Sequence, residues 1–227
     1  ADVLTEAGFP PGVCNVVTTA PEDAAEVAEA LIADPRVRRV SFTGSTRVGR
    51  WVGERAAHHL TPAVLELGGK NSLIILDDAD LEYAVNAVGF AAYMNSGQIC
   101  MSADRVLVQR PVAEEVLSRL AEKASKLPAG DPRDPGTVIG PLISAAAADR
   151  VADLVDEAVS EGAKVRAGGG RPHGAVYPAT VVSGVKAAMP IETQEIFGPC
   201  VRCKWWRTRT RQWRRPTPRP TAWRPGC

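Results

Sequence analysis

Aromatic rings, histidines and long apolar runs are all scarce in this sequence, and each shortage narrows what the chain is able to be. Phe, Trp and Tyr make up 5% of the residues against 45% apolar overall, a balance that suits an α/β protein rich in Ala, Val and Leu. No apolar run approaches the roughly 20 residues that cross a bilayer. The opening Ala-Asp-Val-Leu-Thr-Glu lacks the basic start and apolar stretch of a signal peptide. No membrane partner and a cytoplasmic location are therefore expected. The cysteines are Cys14, Cys100, Cys200, Cys203 and Cys227, an odd number without the spacing of a disulfide scaffold. Cys200 and Cys203 form one C-x-x-C, but there is no second pair, and His58, His59 and His173 lie far from it. No metal site is expected. With 227 residues the chain can bury a sizeable core, in one large domain or two small ones.

Acid is missing from one region in particular. Val201 to Cys227 holds eight Arg and one Lys with no Asp or Glu, a local charge of +9, which leaves residues 1–200 at −8. Four of the five Trp also fall there. So sharp a change marks a boundary. A basic, Trp-bearing segment fits a nucleic-acid arm or a stretch without a selected role.

The remainder alternates helix and strand patterns. Pro21 to Ala33 sets Val27, Ala28, Leu31 and Ile32 on one helical face. Val37–Phe42 reads as a strand, Thr46–His58 as a helix and Ala63–Leu67 as a buried strand, the alternation of a parallel sheet. After Gly68-Gly69 the pattern restarts with a strand over Ser72–Leu76 and a helix, with Asp78 and Asp80 supplying its N-cap chemistry, that reaches about Met94. A strand over Arg105–Gln109, helices over Val112–Leu127 and Ser144–Glu161, and strands near Lys164 and over Val176–Val182 follow. The expected division is 1–69, 70–199 and a disordered tail over 200–227.

Four local features carry chemistry. Gly44-Ser45-Thr46-Arg47-Val48-Gly49 sits at a strand-to-helix turn, where small residues let a ligand approach and the helix start offers free N–H groups to a phosphate. Its spacing is not G-x-G-x-x-G, and taken alone a plain turn is the commoner reading. Glu66 closes an apolar strand in Glu66-Leu67-Gly68-Gly69-Lys70. Burial there would raise its pKa into the range of a general base, whereas a simple pair with Lys70 or an Arg is the blander account. Cys100 lies on the Gly-containing loop Gly97-Gln98-Ile99-Cys100, better placed for a nucleophile than for a core residue. In Glu195-Ile196-Phe197-Gly198-Pro199, an acid able to bind ribose hydroxyls and a ring share one tight loop.

Together the strings FTGST-x-x-G, LELGGK, GQ-x-C and EIFGP, with AGFPPGVCNVV before them and DDADLEYAV and IGPLIS between, closely resemble the aldehyde dehydrogenase superfamily over residues 1–199. MNSGQICMS and LPAGDPRDP resemble its branch acting on benzaldehyde, salicylaldehyde and vanillin. The resemblance implies an α/β fold, part of a Rossmann-like coenzyme-binding domain followed by an α/β catalytic domain. It implies that Cys100 attacks an aldehyde to give a thiohemiacetal and then a thioester, and that Glu66 activates the hydrolytic water. NAD is the implied cofactor, with NADP the alternative. Gly44, Ser45, Val48, Gly49 and Leu67 would border its phosphates, Glu195 its ribose and Phe197 its nicotinamide. Small-molecule aldehydes are the implied partners, nucleic acid is not, and members of the family form homo-oligomers.

Two departures follow from the resemblance. An Asn that stabilises the oxyanion and a Lys that binds the adenosine ribose would both precede Ala1. After Pro199 the family pattern stops. Regrouping codons chosen for Val201 to Gly226 can give AVQVVAYEDEAVAAANATPYGLAAG, which resembles what the family has there, so the tail reads as a frameshift product. The competing reading of the whole is an inactive, truncated dehydrogenase fragment.

Overall fold

The computed structural model describes residues 2–206, which divide into two compact units on either side of Leu67–Gly68. The expected tail beyond residue 206 lies outside the described residues.

The first unit carries a short helix α1 (Asp2–Glu6), then α2 (Ala24–Ala33), β1 (Val40–Gly44), α3 (Thr46–His58) and β2 (Ala63–Leu67). The two strands pair in parallel, from Val40 against Ala63 to Gly44 against Leu67. A helix between parallel strands is the connection such pairing requires. Helix α3 begins where Ser45 caps it and its apolar face turns Val52 and Ala56 inward to meet Ile32 of α2. Its last turn holds Arg55, which pairs with Glu29 of α2 at 3.0 Å, an exposed bridge contributing about 1 kcal/mol at most. Two expectations fail here. Leu31, assigned to the inner face of α2, is exposed, because Ile32 already fills the contact with α3. Strand β2, read as buried, leaves Val64 and Glu66 exposed, because within this unit it is paired with β1 alone.

The second unit contains β3 (Asn71–Ile75), α4 (Leu81–Tyr93), β4 (Ala103–Gln109), α5 (Ala113–Ser125), α6 (Ala145–Ser160), β5 (Lys164–Ala167), β6 (Thr180–Ser183), α7 (Pro190–Thr193) and β7 (Cys200–Trp206). Its sheet runs β3-β4-β7-β6-β5, parallel throughout except for β5 against β6. Asp80 and Ser144 accept the N–H groups of Tyr83 and Ala147 at 3.0 and 3.1 Å, caps contributing about 1 kcal/mol each. Alternation along the central strands feeds two cores. Val106, Val108, Val181, Val201 and Cys203 pack with Val88, Val116 and Leu120 of α4 and α5. Val182 and Cys200 pack with Val151 and Val155 of α6, together with Tyr177, Met189 and Ile196. No helix among the described residues is long and apolar enough to cross a membrane.

The stretch 200–206, expected to open the tail, is instead a central strand, bonded to β4 on one side and β6 on the other. Its β-prone Val, Cys and Trp outweigh its charge. Val201 and Cys203 enter one core, Cys200 enters the other, and the wholly buried Arg202 meets Glu192 of α7 at 2.5 Å. Trp205 lies under the guanidinium of Arg110, 4.1 Å from its centroid. Cys200 and Cys203 point to opposite faces, so the C-x-x-C is not a paired thiol site.

Candidate active site

In the first unit the candidate residues gather where β1 and β2 end and α3 begins, the end of a parallel sheet at which ligands bind in open α/β folds. Gly44 closes β1 opposite Leu67, and Thr43 stands opposite Glu66. Ser45 accepts the Val48 N–H at 3.3 Å, which starts the helix and satisfies one of the N–H groups left open at its first turn. Gly49 is buried, and a Cβ there would come within 2.4 Å of a Leu67 methyl. The helix can lie this close to β2 only over a glycine. A Cβ on Gly44 would meet the Phe42 ring at 2.6 Å. Gly44, Ser45, Val48, Gly49 and Leu67 therefore gather at this turn, with Glu66 one position before Leu67 on β2. The burial expected around Glu66 is not there. Its side of β2 is open.

In the second unit Cys100 is exposed on a turn between α4 and β4. The chain reaches it through Asn95, Ser96 and Gly97, with φ of 50°, 55° and 71°. Left-handed backbone at two residues other than glycine is costly and marks a strained, specified turn. The segment after Ala129 braces it. Ser96 Oγ donates to the Gly140 carbonyl at 3.1 Å, and Gln98 Oε1 accepts the Ile143 N–H at 2.8 Å. Beyond Cys100, Ser102 N–H donates to the Ile99 carbonyl at 2.9 Å and closes the turn.

The Glu195–Phe197 loop lies in the same unit. Glu195 is half-buried and accepts the Gly69 N–H at 3.4 Å. Burial pushes its carboxyl above the ordinary carboxylate value, and that N–H opposes the shift. A Cβ on Gly68 would overlap the Glu195 carboxylate at 1.9 Å, so the glycine at 68 is what admits the acid. Phe197 is exposed at a φ of 51°, a third non-glycine residue with left-handed backbone in this unit. Gly97 faces Gly198, whose carbonyl oxygen a Cβ would meet at 2.1 Å. The Cys100 turn and the Glu195 loop thus touch backbone to backbone.

Several partners escaped the sequence reading. Lys70 does not pair with Glu66. Its ammonium meets Asp104 at 2.8 Å, both side chains more than nine-tenths buried, and donates to the Gln194 carbonyl at 2.6 Å. Burial lowers the Lys70 pKa and raises that of Asp104, each opposed by the other's charge. Asn71 Nδ2 donates to the carbonyls of Cys100 at 2.6 Å and Ser102 at 3.2 Å. Arg150 donates to the carbonyls of Glu195 and Ile196. The available signal was Asp104-Arg105, two charges opening an otherwise apolar strand.

Known proteins share both the sequence and this arrangement. The aldehyde dehydrogenase family profile matches residues 1–209. A vanillin dehydrogenase of Pseudomonas fluorescens is 52% identical over 197 residues, covering 87% of this chain and 41% of that protein. The salicylaldehyde dehydrogenase of Pseudomonas putida G7, solved with salicylaldehyde, superposes with a TM-score of 0.90 at 42% identity, covering 94% of this chain and 44% of that one. An aldehyde dehydrogenase of Bacillus cereus, solved as its NAD+ complex, gives a TM-score of 0.87 at 35% identity, covering 93% and 43%. The chain thus spans about two fifths of the length of the curated relatives it matches. From its first residues into β7, in sequence and in α/β fold, the chain belongs to the aldehyde dehydrogenase family.

Proposed function

We propose that this chain carries the nucleophile, the base and part of the coenzyme site of an NAD(P)-dependent aldehyde dehydrogenase that oxidises an aromatic aldehyde to its acid. The observation that carries the reading is the exposed Cys100 on a strained, braced turn directly against the loop of Glu195. The relatives named for vanillin and salicylaldehyde support the aromatic class.

The cradle at the end of β1 fits a dinucleotide. Small residues at 44 and 45 leave the helix start approachable, and the dipole of α3 favours a phosphate there. Glu195 presents a carboxylate able to accept from ribose hydroxyls, and Phe197 exposes a ring able to lie along a nicotinamide. When bound, NAD or NADP supplies the acceptor for the hydride of the substrate carbon, and the Bacillus cereus relative solved with NAD+ supports the NAD reading.

The chain's own residues supply the rest. The Cys100 thiolate adds to the aldehyde carbon and gives a thiohemiacetal. Loss of hydride leaves an acyl thioester on the same sulfur. Glu66, open at the end of β2, takes a proton from the water that attacks this thioester, which releases the acid and returns the thiolate.

The test is NADH formation from vanillin, salicylaldehyde and benzaldehyde by the full chain. Turnover that disappears in a Cys100→Ala variant supports the reading. Absence of turnover from the folded wild type, or turnover that survives the substitution, overturns it.

A further inference from the structure

Three consecutive residues reach two separate loops of the second unit. Gly69 N–H holds the Glu195 carboxylate, Lys70 Nζ holds the Gln194 carbonyl, and Asn71 Nδ2 holds the carbonyls on either side of Met101. Asn71 is the first residue of β3, and Gly69 and Lys70 lead directly into it, so the edge strand beside β4 anchors all three.

The chemistry of the contacts is unequal to a purely structural duty. An ammonium and a carboxylate buried together cost desolvation, and apolar residues of similar size commonly stabilise as well or better. What Lys70 and Asp104 gain by being charged is direction. Asp104 anchors the Lys70 head, and Lys70 spends a further donor on the carbonyl immediately before Glu195. Asn71 likewise uses its amide donor group on Cys100 itself and on Ser102, spanning the turn that presents the thiol.

We propose that Lys70, anchored by Asp104, is the positioning residue for Glu195 and that Asn71 is the positioning residue for Cys100. One strand start thereby fixes the spacing of the nucleophile turn and the coenzyme loop. The inference rests on the roles proposed above for Cys100 and Glu195.

Amide hydrogen exchange in the full chain tests it, with Asn71→Asp, Lys70→Met, Lys70→Arg and the charge-free pair Lys70→Met with Asp104→Leu. Asn71→Asp keeps the shape and removes the donors. It should speed exchange over residues 99–103 by about tenfold, the loss of one well-placed hydrogen bond, and leave 190–198 unchanged. Lys70→Met and the double variant should do the converse, with Lys70→Arg restoring much of the protection. In turnover, the Lys70 variants should raise KM for NAD and Asn71→Asp should lower kcat. Equal acceleration of both segments in every variant, or of neither, overturns the proposal. Selective exchange in a wild type without Cys100-dependent turnover upholds the positioning and overturns only the enzymatic reading.

Discussion

Cysteine occurs in two opposite settings in the second unit, and the contrast separates packing from chemistry. Cys200 and Cys203 lie on a central strand, one in each core, at 1% and 7% exposure. Burial pushes both thiols up to about 12, so at neutral pH they are small hydrophobes. Cys100 lies on a turn the chain enters through left-handed backbone, exposed and tied by its own carbonyl to Asn71. The same side chain is filler in a strand and stands open to solvent on a turn. Backbone strain is tolerated at the second place because β3, α4 and the 139–144 segment over-determine the turn.

The largest expected effect that sharpens this contrast is on turnover. Cys100→Ala should lower NADH formation about 10⁴-fold or more, as loss of a nucleophile does, while thermal unfolding hardly moves. Next comes alkylation by iodoacetamide at pH 8, mapped by peptide mass. Cys100 should react about a thousandfold faster than Cys200 or Cys203, whose raised pKa leaves almost no thiolate. Comparable labelling of all three in the folded chain would break the comparison. Cys200→Ser should reverse the first pattern, destabilising by about 1–3 kcal/mol in urea titration through a buried hydroxyl with no selective loss of turnover.

Smaller effects concern the coenzyme loop. Phe197→Gly should relieve left-handed strain and raise stability by about 1 kcal/mol in the same titration, while weakening NADH binding. Glu195 gives a pH effect with a definite sign. Its folded pKa lies above the ordinary 4.5 because of burial, so ionising it costs stability as pH rises through that range. Glu195→Gln should therefore be the more stable protein at pH 7, with the advantage fading as pH falls to about 4.5. On the role proposed for Glu195, coenzyme affinity should fall as pH drops through the same range, and fluorescence titration of NADH should show the wild type losing affinity there and the variant not.

The sequence reading succeeded where signals were local. Thr46–His58 has a helical period, a Ser cap and a glycine turn before it, and α3 occupies that span. The motif residues of the first unit converge because they sit within 24 positions on one strand–helix–strand unit. What stayed hidden depended on distance. Lys70 finds Asp104 and Gln194, and Asn71 finds Cys100, only once β3 and β4 pair. Strand β7 was hidden for another reason. Its Arg and Trp share the composition of the residues after it, and charge drew attention away from the alternation that places Val201 and Cys203 in one core and Cys200 in the other. Glu66 shows the limit of a strand-based expectation, since an apolar run predicted burial that pairing with β1 alone does not provide.

The most direct test of the central claim is to look for the acyl group on the sulfur. A Glu66→Gln variant of the full chain, incubated with salicylaldehyde and NAD, should accumulate a thioester. The mass of the Cys100 peptide should rise by the salicyloyl group and return to its original value with hydroxylamine. An adduct on another residue, or no adduct from a folded protein that binds NADH, would contradict the account.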